Sequence, residues 1–240
     1  MVKKGKILIV SLYVDDLIYT GNDKQMMGEF KSSMKKKFAM TDLGKMKYFL
    51  GVEVNQTQQG IFINQQKYAS EILTRFGMQD CNTVCTPIVL ELCLAARYMD
   101  KPTEMHVIAV KRIMRYLKGT MIYGILYKST DGENVTLVGW TDSDYAGDYD
   151  DRKSTSGYVF SIGTSAISWS SKKQPIVTLS TTEAEFIAAA SSACQGIWLR
   201  NVLKQLRQEQ VTCTKSIVII APQSSYQKIQ LSTEGQNILM

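Results

Sequence analysis

The sequence predicts an α+β fold, and three patterns carry that expectation. Short β-rich runs flank a pair of adjacent aspartates near the N-terminus, helical segments with cap residues follow, and from Thr136 the order becomes strand, strand, strand, helix. The 240 residues allow one large domain or two small ones. Hydrophobic residues at 45% and charged residues at 21% describe globular protein, not a disordered tail.

In chain order, Ile7 to Tyr13 and Leu17 to Tyr19 are β-rich runs around Val14-Asp15-Asp16, which predicts a hairpin. Gly21-Asn22-Asp23 closes it, and Asp23 caps a helix running to about Phe38. Lys35, Lys36 and Lys37 then place positive charge at the helix C-terminus, where the macrodipole favours it. Tyr48 to Val54 and Gly60 to Ile63 predict a second hairpin, Gln65 to Phe76 a helix, and Cys81 to Pro87 an irregular connection.

Pro102 to Gly119 is the clearest helical segment. Pro102 suits its first turn and Gly119 the residue just past its end. Val107, Val110, Met114 and Leu117 form an apolar stripe, and Lys111, Arg115 and Lys118 line another face. That basic face could track a nucleic-acid backbone, and an ordinary solvated surface has the same pattern.

Thr136 to Trp140, Gly157 to Ile162 and Ala166 to Ser170 are the strands of the second half. Thr181 or Thr182 is expected to cap a helix running to about Leu206, with Glu185 in its first turn and Ile187, Trp198, Val202 and Leu206 buried. The polar stretch Lys128 to Asn134 is the expected domain boundary.

Composition narrows the function classes. A net charge of +6 and a pI near 8.9 suit a partner that carries phosphates. Five cysteines without CxxC spacing and a single histidine, His106, argue against a Cys/His zinc site. An odd cysteine count fits reduced thiols in an intracellular protein, cytoplasmic or nuclear. The apolar start soon meets Asp15 and Asp16 and has no small-residue cleavage site, and no stretch is long enough to cross a membrane.

Two adjacent carboxylates at a tight turn repel each other unless divalent ions offset the charge, which is the arrangement phosphoryl chemistry uses. A solvated turn is the competing reading of Asp15 and Asp16. Here the residues reach a family. Leu12-Tyr13-Val14-Asp15-Asp16-Leu17-Ile18 resembles the catalytic hairpin of copia-type reverse transcriptases. The resemblance continues through Phe38-Ala39-Met40-Thr41-Asp42-Leu43-Gly44, Tyr48-Phe49-Leu50-Gly51-Val52-Glu53 and Lys111 to Thr120.

Trp140-Thr141-Asp142-Ser143-Asp144-Tyr145-Ala146-Gly147-Asp148, Arg152 to Phe160 and Ser180-Thr181-Thr182-Glu183-Ala184-Glu185-Phe186 resemble the first half of the ribonuclease H domain that ends the copia polyprotein. The resemblance implies a partial palm and connection region over residues 1–127, then an incomplete ribonuclease H-like mixed sheet with helices over 135–209. It implies Asp15, Asp16, Asp142 and Glu185 as catalytic and metal-binding carboxylates, Mg²⁺ as cofactor, and an RNA–DNA hybrid as partner. Asp144, Asp148 and Glu183 are expected at the surface.

Three departures from the family pattern bear on activity. The palm strand that supplies a third carboxylate is expected upstream of the aspartate pair, and a segment between Pro87 and Ala95 is shorter than in the family. The third departure begins near Gln210, where the resemblance stops. Read one frame over, the codons available to Val218 through Met240 can spell a Cys-Asp-Asn segment and later a Lys-His-Ile-Asp segment typical of the family. Residues 210–240 are therefore expected to be a frameshifted tail, in which the third metal ligand falls at Ile219 and cannot hold magnesium. The apolar β-branched run from Ser216 to Ile220 could still pair as the central strand. The sequence thus predicts a catalytically inactive relic. Its alternatives are a nucleic-acid-binding protein using Lys111, Arg115 and Lys118, and a ribonuclease H active only with a complementing C-terminal segment.

Overall fold

The computed structural model describes residues 2–3, 5–87, 101–129, 136–148, 150–218, 227–231 and 238–239. The chain forms two compact units, Met1–Val54 and Asn55–Met240. The expected boundary stretch, Lys128 to Asn134, thus lies within the second unit, and its residues 130–134 are outside the described set.

In the first unit, β1 (Val2–Lys3), β2 (Lys6–Tyr13) and β3 (Asp16–Gly21) form an antiparallel sheet. Its register closes on the pair Tyr13 and Asp16, so Val14 and Asp15 are the turn. Helix α1 (Lys24–Lys37) packs on this hairpin, with Tyr19 and Phe30 rings 5.5 Å apart. Asp23 caps it as expected, accepting from the Met26 N–H at 2.7 Å. The predicted single strand from Tyr48 is divided: β4 (Tyr48–Phe49) folds back on the start of β5 (Val52–Thr57). The cause is local, since Leu50 and Gly51 both take positive φ, at 48° and 81°, and so reverse the chain.

The second unit contains β6 (Gly60–Asn64), α2 (Gln66–Arg75), α3 (Glu104–Thr120) and β7 (Gly124–Lys128). Strand β7 was not anticipated from the sequence, and it pairs antiparallel with β6 along its whole length. Two sequence expectations for α3 are corrected. Pro102 precedes the helix, whose cap is Thr103, and His106 Nδ1 accepts from the Thr103 N–H at 2.9 Å. Gly119 lies inside the helix rather than past its end. A Cβ there would come within 3.2 Å of the Thr83 side chain, so the missing side chain allows close approach of the loop.

The largest sheet has the order β10-β9-β8-β11-β12-β13. Its members are β8 (Leu137–Ser143), β9 (Thr155–Ile162), β10 (Ser165–Lys173), β11 (Thr214–Val218), β12 (Gln227–Leu231) and β13 (Ile238–Leu239). The first three are antiparallel neighbours, whereas β11 runs parallel to β8, pairing Ile217 with Trp140 and Val218 with Thr141. The apolar run expected to pair as a central strand does so over Thr214–Val218, while Ile219 and Ile220 lie outside the described residues.

Helix α4 (Thr181–Gln205) crosses from β10 to β11 and packs on β8, β9 and β11. Leu137, Phe160, Leu199 and Leu203 form the core between them. Gly139 makes room for it: a Cβ there would meet the Phe160 ring at 2.6 Å. The buried face of α4 is Ala184, Ala188, Ser192, Gly196, Leu199 and Leu203. Ile187, Val202 and Leu206 are half-buried, and Trp198 is 57% exposed, so the expected apolar set is not the buried one. Small residues spaced four apart let the helix lie close to the sheet, and close backbone approach outweighed side-chain hydrophobicity in choosing the face. No helix among the described residues is long and apolar enough to cross a membrane.

Candidate functional site

Alternation along β8 sends Leu137, Gly139 and Thr141 inward and leaves Trp140 and Asp142 on the other face. Thr141 is fixed by its hydroxyl, which donates to the Gly157 carbonyl at 3.0 Å. Asp142 is exposed at the strand end and lines an open groove of about 320 Å³ with Trp140, Val159 and Trp169.

Glu185 reaches this strand end from the second turn of α4, not the first turn as expected, because Ser180 rather than Thr181 or Thr182 is the cap. The Ser180 hydroxyl accepts from the Glu183 N–H at 3.1 Å, and the Glu183 carboxylate accepts from the Leu179 N–H at 2.6 Å. The Glu185 carboxyl is pushed up to about 7, first by burial and then by the nearby charge of Asp142, against a Ser143 backbone N–H that lowers it. Its Oε2 is buried with no hydrogen-bond partner. Glu185 thus lies at the strand end beside Ser143, within the field of the Asp142 charge, and the Ser143 N–H offsets that repulsion only in part.

These hard oxygen donors fit one divalent cation of the magnesium type, which keeps most of its waters and needs only one or two carboxylates. Among the described residues no group of three or more His, Cys, Asp or Glu is arranged to hold a metal.

The other acidic residues nearby hold the loop in shape. Asp144 Oδ1 accepts from the Thr155 N–H. Asp148, expected at the surface, is buried at 8% exposure, and this expectation is corrected. It pairs with Lys173 at 2.6 Å and accepts the Asp150 N–H at 3.0 Å, which is how a buried carboxylate avoids its desolvation cost. Lys173 also reaches Asp151 at 2.7 Å and holds that carboxyl below its ordinary range. Gln174, which no sequence motif singled out, lies behind the pair: its side-chain amide bonds to the segments that carry both carboxylates.

Asp15 and Asp16 sit at the tip of the β2–β3 hairpin, both exposed. Val14 before them has φ of 50°, a left-handed conformation that a β-branched residue adopts only under strain. The Tyr13 ring meets Phe49 edge-on at 6.4 Å.

The basic face of α3 is partly committed to the fold. Arg115 Nε donates to the Asn82 carbonyl at 2.7 Å, and Lys118 Nζ donates to the Gln79 carbonyl. Lys111 is exposed beside an apolar groove formed by Phe76, Val107, Val110 and Met114.

The family model described as reverse transcriptase (RNA-dependent DNA polymerase) matches residues 1–90. The chain is 33% identical to the retrovirus-related Pol polyprotein from transposon TNT 1-94 of Nicotiana tabacum, over 85% of this chain and 18% of that protein. It is 32% identical to the Pol polyprotein from transposon RE1 of Arabidopsis thaliana, over 86% of this chain and 16% of that one. It is also 33% identical to an uncharacterized mitochondrial protein of Arabidopsis thaliana, of which it covers 92%. No solved structure matches. The chain therefore spans under a fifth of the length of the two Pol polyproteins. With an Asp15-Asp16 hairpin inside the matched segment and similarity to transposon polyproteins over most of its length, the chain belongs to the reverse-transcriptase family of copia-type retrotransposon Pol polyproteins.

Proposed function

We propose that this chain is a catalytically inactive derivative of such a polyprotein, in which residues 137–218 form a ribonuclease H-like half-site that still binds a divalent cation. The observation that carries the reading is the convergence of Asp142 and Glu185 at the end of a strand flanked by antiparallel β9 and parallel β11. Bound there, magnesium would polarise a phosphodiester and lower the pKa of a coordinated water. The chain's own part is to hold two carboxylates beside one another, with Thr141 and Ser143 pinned to β9 through the Gly157 and Thr155 carbonyls.

Hydrolysis by a two-ion route needs ligands for a second ion. The register supports their loss: Val218 pairs with Thr141, and the next residue in sequence is isoleucine, Ile219, which itself lies outside the described residues. A frameshift between about Gln210 and Ser216 accounts for that residue, and sequencing the encoding DNA tests it: codons that do not spell Cys-Asp-Asn in the alternative frame refute it.

The functional reading is tested with purified chain. Magnesium at millimolar concentration is expected to raise the thermal midpoint of the wild type and not of Asp142→Asn, with no cleavage of a labelled RNA–DNA hybrid by either. Hybrid cleavage that depends on magnesium and is lost in Asp142→Asn would show an active enzyme and overturn it. The reading of Lys111, Arg115 and Lys118 as a nucleic-acid contact is the weaker one, because two of the three already donate to carbonyls of residues 79–82.

A further inference from the structure

Gln174 follows β10 and is only 2% exposed. Its backbone N–H donates to the Ser154 carbonyl at 2.8 Å, so its position is fixed from the main chain as well. Its Nε2 lies 2.9 Å from the Ala184 carbonyl, 2.8 Å from Ser156 Oγ and 3.2 Å from Ser143 Oγ. Only the nitrogen of the amide can donate to a carbonyl, so the Ala184 contact fixes which way the group points. Ala184 immediately precedes Glu185 on α4, and Ser143 immediately follows Asp142 on β8.

No other side-chain amide among the hydrogen bonds described here joins those two segments. Gln195 on α4 bonds to Ser168 on β10 instead. Buried polar contacts of this kind are costly to leave unmade and so hold their partners in one arrangement.

We infer that Gln174 is the positioning residue of the cation site, setting the separation of Asp142 and Glu185 by bridging the strand end to the start of the helix. The inference rests on the cation-binding reading above. Gln174 touches neither carboxylate, and its effect runs through the Ser143 and Ala184 backbone segments. A methionine in its place keeps the volume and removes every donor, so the helix start and the strand end then keep the Ser143 N–H contact to Glu185 but lose the side-chain bridge.

The test compares Gln174→Met with Gln195→Met in the full chain, using magnesium alone as the probe. Both variants lose one hydrogen-bonded side-chain amide, buried in Gln174 and half-buried in Gln195, so a purely structural role lowers the thermal midpoint of both and leaves magnesium affinity alone. Positioning predicts that Gln174→Met weakens magnesium binding by tenfold or more in calorimetric titration, while Gln195→Met stays within twofold of wild type. A second readout needs no metal: amide hydrogen exchange at Ser143 and Glu185 is expected to quicken in Gln174→Met and not in Gln195→Met. Should Gln174→Met not fold, Gln174→Asn keeps an amide but is too short to reach Ala184, and the same two changes are expected in it. Wild-type affinity and wild-type exchange in a folded Gln174 variant would overturn the inference. If the wild type itself binds no magnesium, the cation-site reading fails, and the exchange comparison still decides whether Gln174 bridges the two segments.

Discussion

Glu185 pairs burial with a neighbouring like charge, and both effects favour its protonated form. A carboxyl raised from 4.5 to about 7 binds its proton more tightly in the folded chain. The associated stability is fully present below pH 4.5 and is lost as pH rises through about 7. The group is partly solvated, so the loss is discounted to about 1 kcal/mol. Denaturant unfolding at pH 5 and pH 8 without magnesium should show it, and Glu185→Gln should flatten that difference. Val14 is the other residue whose conformation has an energetic reading. Its φ of 50° suits glycine, so Val14→Gly is expected to stabilise the β2–β3 hairpin by about 1 kcal/mol, measured by thermal unfolding. The Asp15-Asp16 pair was legible because its residue types and neighbours sit together in the sequence. The strain beside it was not, since valine announces no left-handed backbone.

Among the helices, α3 shows how the same charges can read two ways. A basic face and a nucleic-acid track have one sequence pattern, but Arg115 and Lys118 donate to the Asn82 and Gln79 carbonyls. Replacing both with alanine is expected to cost about 1–2 kcal/mol of stability and to expose the loop at residues 79–87 to limited proteolysis. Hybrid binding measured at low salt should change little, and a large loss of affinity would restore the nucleic-acid reading. For α4, the expected buried set followed hydrophobicity, and the structure followed size. Trp198 is exposed while Ser192 is fully buried, because Ala184, Ala188, Ser192 and Gly196 form the line that fits against the sheet. Periodicity located the helix and its length; which side faces inward depended on the surface it met.

Within the second unit, the largest sheet and α4 enclose a small core. Phe160 and Leu137 are fully buried between the sheet and α4, with Tyr158, Ile162 and Ile167 packed against them. Phe160→Ala is expected to destabilise this core by about 3–5 kcal/mol and to remove any magnesium response along with it, as followed by urea unfolding. The α+β order and the three strands from Thr136 onward were legible, because alternating patterns and turn residues are local signals. The pairing of β7 with β6 was not: Gly124 to Lys128 lies 60 or more residues from its partner in sequence, and nothing near it marks a strand edge in need of cover.

By itself, the sequence determined the family and the type of the elements that carry Asp15, Asp16, Asp142 and Glu185, since these are written in contiguous motifs and local periodicity. The tertiary structure alone decided the surroundings of each carboxylate within its own unit. It brought Asp142 and Glu185 together and left Asp15 and Asp16 exposed at a hairpin tip. It also buried Asp148 against Lys173 and placed Gln174 behind the pair. The physical reason is that desolvation and like-charge repulsion depend on distance in space, and residues more than forty positions apart acquire a distance only when α4 docks on β8.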